Sequence, residues 1–100
     1  MNKDDVRLVE FDASLVLDSD EGIEAFLQDA MESGHVGVIL SALGDVARAK
    51  GMTELAKQAG MSRESLYRAL SKDGNPQLST VMKVLDALGY KLDVKSTAAE

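Results

Sequence analysis

Residues 52–70, MTELAKQAGMSRESLYRAL, narrow the possible folds of this chain more than any other stretch. Leu55 and Ala56 before Gly60, and Leu66 and Leu70 after it, fit the inward faces of two short helices. Thr53 and Ser62 stand where hydroxyl caps are favoured. Gly60 stands where the turn needs a positive φ at little steric cost. Ala56 is small, as a close helix crossing requires. The spacing predicts one helix over 53–58, capped by Thr53, and a second from Ser62 to about Leu70 or Ser71.

The flanking sequence extends the helical pattern. Residues 1–5 are polar and expected to fray. Residues 6–17 are apolar but irregular and read as extended, with a short strand. Asp18 or Ser19 offers an N-cap, and Asp20 and Glu21 place acids where a helix dipole favours them. Ile23, Phe26, Leu27, Ala30 and Met31 form one apolar stripe, and Gly34 ends it. Val36, Ile39, Leu40, Leu43, Val46 and Ala47 repeat the spacing over 36–50. Arg48 and Lys50 lie in the last turn, and Gly51 supplies a left-handed stop. The run Asp73-Gly74-Asn75-Pro76 is a turn by composition, with the only proline. Ser79 caps a last helix that buries Val81, Met82, Leu85 and Leu88 and stops at Gly89. Residues 90–94 alternate with period two and predict a short strand. Such a strand needs a partner, either residues 7–11 or a second copy.

One compact domain over residues 1–100 is therefore expected. It comprises an extended segment over 1–17, two amphipathic helices over 18–50, the helix pair with a following helix over 52–89, and a strand within 90–95. The fold class is all-α, about five helices, with strand pieces near each terminus. A hydrophobic fraction of 45% suffices for one core. The absence of cysteine excludes disulfides and thiolate metal sites and fits a reducing cytosol. No apolar run approaches the ~18 residues of a membrane span, and no signal core follows the N-terminus. A cytoplasmic protein without membrane contact is expected.

Two short helices around a tight turn form the helix-turn-helix pattern, whose second helix enters the major groove of DNA. The net charge of −6 opposes this at first sight. However, residues 1–46 hold two bases and eleven acids, and residues 47–100 hold nine bases and six acids. The halves carry −9 and +3, and DNA responds to the local basic face. Arg63, Glu64 and Arg68 are the candidates for base edges, since Arg bonds bidentately to guanine and Glu accepts from cytosine. Tyr67 can meet a thymine methyl or a phosphate. Thr53, Ser62, Ser65, Lys57 and Lys72 are candidate phosphate contacts, with the first amides of each helix. The same charges would equally serve to solvate an exposed helix. Arg63 or Arg68 would then pair with Glu64, worth only ~0.3–0.5 kcal/mol.

No other constellation carries chemistry. His35 is the only histidine, in a helix–helix turn, so no transition-metal set exists. The acids at 18–21 lack calcium-loop spacing and read as capping. Ser62 and Ser65 have no base placed to activate them. Gly34, Gly51, Gly60 and Gly89 read as helix stops, and the methionines as core filling. Neither an enzyme nor a cofactor is expected.

The segments LGDVARAKGMTELAKQAGMSRESLYRAL at 43–70 and DGNPQLSTVMKVLDALGYKL at 73–92 resemble the addiction-module antidote proteins. These are HigA-like antitoxins, also described as DNA-binding prophage proteins. FDASLVLDSDEGIEAFL at 11–27 resembles the family's opening segment. The resemblance covers about residues 11–92. It implies a lambda-repressor-like helical domain and an antitoxin that binds a small toxin of the RelE/ParE and HigB group and represses its own operon. Carried over by position, the DNA-reading residues are Arg63, Glu64, Tyr67 and Arg68, with Thr53 and Ser62 at the caps. One departure falls at Gly34-His35-Val36. Family members often carry an acid and a proline after the glycine, which bears on the start of the second helix.

The expected function is sequence-specific repression as a type II antitoxin, through double-stranded operator DNA read by a homodimer at paired half-sites. The strand at 90–94 is a candidate dimer contact. The acidic segment 11–32 is a candidate surface for a basic toxin. A solitary phage-type repressor, or a partner-neutralising protein without DNA binding, are the alternatives.

Overall fold

The computed structural model describes Leu17 and residues 19–98. The predicted strand at 7–11 and most of the extended segment 1–17 lie outside the described residues. Within them the chain forms five helices: α1 (Asp20–Ser33), α2 (Val36–Lys50), α3 (Met52–Gln58), α4 (Arg63–Ala69) and α5 (Leu78–Leu88). The architecture is all-α, as expected. No helix among the described residues is long and apolar enough to cross a membrane.

Helix α1 begins at Ser19, whose Oγ accepts the Gly22 amide at 3.0 Å. Asp20 and Glu21 occupy the first turn. Ile23, Leu27 and Ala30 are buried, with Phe26 packed against them, so the predicted stripe is the packed face. Gly34 ends the helix in the left-handed conformation.

Helix α2 supplies the centre of the core: Leu43, Val46 and Ala47 are fully buried. Val36 departs from the expected inward stripe and is 66% exposed. It occupies the first position of α2, and the stripe becomes a core face only from Ile39 onward.

Gly51 is shared by α2 and α3, closing one and opening the other. Its φ of 113° and ψ of 108° are not the expected left-handed stop but a corner conformation that a side chain would strain. Thr53 is not the cap of α3. Burial of Met52 draws that residue into the helix, so the cap position falls on Gly51 and Thr53 becomes an exposed residue of the first turn.

Helix α3 is the hub, packing against α2, α4 and α5. In α5 the fully buried residue is Val84, beside Leu85, while Met82 is 52% exposed, contrary to the expected buried face. Ser79 does not cap α5. The cap position is Gln77, and the Ser79 hydroxyl reaches the Gln77 Oε1 at 3.5 Å.

Residues 90–94 form no strand, which corrects the period-two expectation. Among the described residues the segment meets a helix, not a second strand. After Gly89, Tyr90 packs against the core and its amide bonds to the Leu85 carbonyl at 2.8 Å. Five residues on, Lys95 Nζ lies 2.6 Å from Glu32 Oε2 at the far end of α1. Partial burial pushes the Tyr90 phenol above its ordinary pKa, and the carboxylates of Glu24 and Asp20 add to the shift. The tail thus follows α1 from its first turns to its last. A helix exposes no free backbone ladder, so alternation alone cannot make a strand there.

Candidate nucleic-acid interface

The turn between α3 and α4 is built by two backbone bonds. The Gly60 amide bonds to the Lys57 carbonyl at 3.1 Å, and the Met61 amide to the Ala56 carbonyl at 2.9 Å. This pair is the Schellman arrangement. It needs a left-handed residue at its centre, which Gly60 provides with φ of 70°. Ser62 then caps α4: its Oγ accepts the Ser65 amide at 3.0 Å, and its hydroxyl donates to Ser65 Oγ at 2.9 Å.

Leu66 anchors α4 with no exposed surface, and Leu70 closes it at 3% exposure. With these two facing inward, Arg63, Glu64, Tyr67 and Arg68 are all exposed. Arg63 leans along the helix toward Tyr67. Its guanidinium carbon is 5.7 Å from the ring centroid, and its Nη2 is 3.5 Å from the phenolic oxygen. A cation over an exposed ring is worth about 0.5–1 kcal/mol, little enough for a phosphate or guanine to displace. Arg68 Nη2 is 3.4 Å from Ser65 Oγ, which extends the cap along the helix. Neither arginine pairs with Glu64 among the described residues, so the self-neutralising arrangement is not adopted. The face presents two guanidinium groups, a carboxylate and a phenol along about 10 Å of helix.

Five of the predicted residues thus fall into two contact groups on α4 and its cap: Arg63 with Tyr67, and Ser62 with Ser65 and Arg68. Glu64 shares the exposed first turn without a side-chain bond to any described residue. Thr53 and Lys57 are exposed on α3. Lys72 lies beyond α4, against the start of α2, where its carbonyl would be 3.3 Å from a Cβ at Gly37.

The residues that position this helix were not among the predicted ones. A Cβ at Gly44 would lie 2.7 Å from the Leu70 carbonyl oxygen, and one at Gly74 would lie 2.6 Å from that of Ala69. Both glycines allow backbone to close on the C-terminal end of α4. The available signal was a pair of glycines seven residues apart, Gly37 and Gly44, inside an otherwise helical pattern. Such isolated glycines usually have a packing reason.

Among the described residues no group of three or more histidine or acidic side chains is placed to hold a metal ion. A family model described as "probable addiction module antidote protein" matches residues 7–96. An uncharacterized protein of Haemophilus influenzae is 45% identical over 91 residues, spanning 91% of this chain and 94% of that relative. No solved structure matches the chain.

Proposed function

Because this chain belongs to the addiction module antidote family, which implies a toxin partner, we propose that it is the antitoxin of a type II module and represses its own operon. In this reading it binds and neutralises a small toxin of the RelE/HigB type in the cytosol. It reads operator DNA as a homodimer with α4 in the major groove, and its role is regulatory rather than enzymatic.

The observation that carries the DNA half is the exposed face of α4. Arg63, Glu64, Tyr67 and Arg68 project from one short helix whose other side is locked by Leu66 and Leu70. A rigid helix with bidentate donors near its start is what base readout requires. The +3 charge of residues 47–100 supports phosphate attraction, and the −9 of residues 1–46 holds down adhesion to unrelated DNA.

The test is a fluorescence-anisotropy titration against the DNA upstream of the gene, with the wild type and an Arg63→Ala/Arg68→Ala variant. Tight, salt-dependent binding that the variant loses while retaining its circular dichroism spectrum supports the repressor. Absence of wild-type binding at low salt would leave a toxin-neutralising protein without DNA binding.

A further inference from the structure

A groove of about 620 Å³ runs between α1 and the first half of α2, ending at residues 72–73. Phe26 and Ala30 from α1 and Val38 and Ala42 from α2 give it apolar walls. Val38 is 46% exposed at its lip. The lining is anionic: Asp29, Asp45 and Asp73 stand against Lys72, and Asp45 is paired with Arg48. The other α1 acids lie off the groove, with Asp20 and Glu24 acting on Tyr90 and Glu32 bound to Lys95. Helix α1 carries no lysine or arginine. Asp29, which lines the groove itself, has no ion pair with a described residue.

This combination selects among occupants. Phosphate backbones and anionic lipid surfaces are repelled by the excess of carboxylates at Asp29, Asp45 and Asp73. A second copy would bring the same acidic rim to its own image in a two-fold contact, setting like charges together. A protein segment with lysine or arginine flanking an apolar tip satisfies both the walls and the rim.

We infer that the groove between α1 and α2 is the docking surface for a basic, apolar-tipped segment of the toxin. The assignment rests on the antitoxin reading and adds the surface that performs neutralisation. It places toxin capture on α1 and α2, separate from the DNA-reading face of α4, with Lys72 at the border of the two.

The experiment measures affinity by calorimetry for the purified product of the adjacent gene. The variants are Val38→Arg, Ser41→Arg, Asp29→Lys and Arg63→Ala, each checked by circular dichroism and sedimentation. Ser41 is exposed and lines the groove, so S41R carries the test if V38R fails to fold. The expected result is at least tenfold weaker binding for V38R and S41R. D29K should also weaken binding and flatten its salt dependence, and R63A should bind the toxin as the wild type does. Wild-type affinity in the three groove variants would overturn the groove assignment and leave the antitoxin reading intact. A change of oligomeric state without loss of toxin affinity would give the groove to a second copy and overturn the assignment. A lowered Tm with unchanged toxin affinity would assign it to the chain's own residues and overturn it equally. Failure of the wild type to bind the product would overturn both the groove assignment and the antitoxin reading.

Discussion

Gly44 of α2 faces the main-chain carbonyl of Leu70 so closely that a methyl group on Gly44 would lie 2.7 Å from that oxygen. Backbone, not a flexible side chain, is the obstacle. The end of α4 therefore has its position set by the absence of a side chain on a different helix.

Gly44→Ala should destabilise the protein despite its better helix propensity. Alanine gains about 0.5–1 kcal/mol in a helix interior, while overpacking costs about 1–3 kcal/mol. Steric overlap should prevail, because Gly44 is buried and the contact is to backbone. Urea denaturation would read a lower midpoint at unchanged m-value. An increase in stability would mean that α2 and α4 can slide apart freely.

Leu66→Ala should cost about 2–5 kcal/mol, the range for truncating a fully buried leucine. Leu66 has no exposed surface and is the main inward anchor of α4. Thermal unfolding monitored at 222 nm gives the value, and DNA affinity should fall only in proportion to the unfolded fraction.

Ser62→Ala should cost about 1 kcal/mol through loss of the bond to the Ser65 amide. Ser62→Asp should restore most of it, because aspartate caps equally well. A comparison of the three denaturation midpoints separates capping from hydroxyl-specific phosphate contact: the aspartate variant would regain stability while losing DNA affinity.

Arg68→Ala should weaken operator binding by about 1–3 kcal/mol and relax one base position if the guanidinium reads a base. Equal loss on all sequences, with a salt slope reduced by about one, would place it on a phosphate instead. Competition anisotropy with single-base operator variants distinguishes the two.

Tyr90 supplies a pH test. Its phenol is raised in the folded state by burial and by Glu24 and Asp20. The folded protein therefore holds the proton more tightly than the unfolded chain. The associated stability is complete below pH 10.0, the ordinary value, and falls as pH rises through the folded value. Stability measured from pH 8 to 11 should decline less steeply in Tyr90→Phe than in the wild type. Equal slopes would mean that Tyr90 is solvated in the folded protein.

Much of this fold and of the α4 face is written in local pattern. The stripe Ile23, Leu27, Ala30 buries as its spacing requires, and α2 closes at Lys50 as predicted. The Ser62 cap, the Gly60 turn and the exposure of Arg63, Glu64, Tyr67 and Arg68 all follow from residues within one or two helical turns of each other. Short-range rules suffice there because a cap bond, a positive φ and a 3.6-residue repeat involve only near neighbours in the chain.

Tertiary contact decided what near neighbours leave open. Val81, Met82, Val84, Leu85 and Leu88 are all apolar, so the repeat cannot say which way α5 is rotated; docking on α3 buries Val84 and leaves Met82 in solvent. Burial of Met52 moved the start of α3 ahead of Thr53. The alternating tail lies beside α1, where no ladder exists to make it a strand. Gly44 has meaning only against Leu70, a residue 26 positions away. Local sequence thus determined the helices and the chemistry that α4 displays. The azimuth of each helix, the closeness of α2 to α4 and the course of the tail depend on surfaces that meet only after the chain has folded.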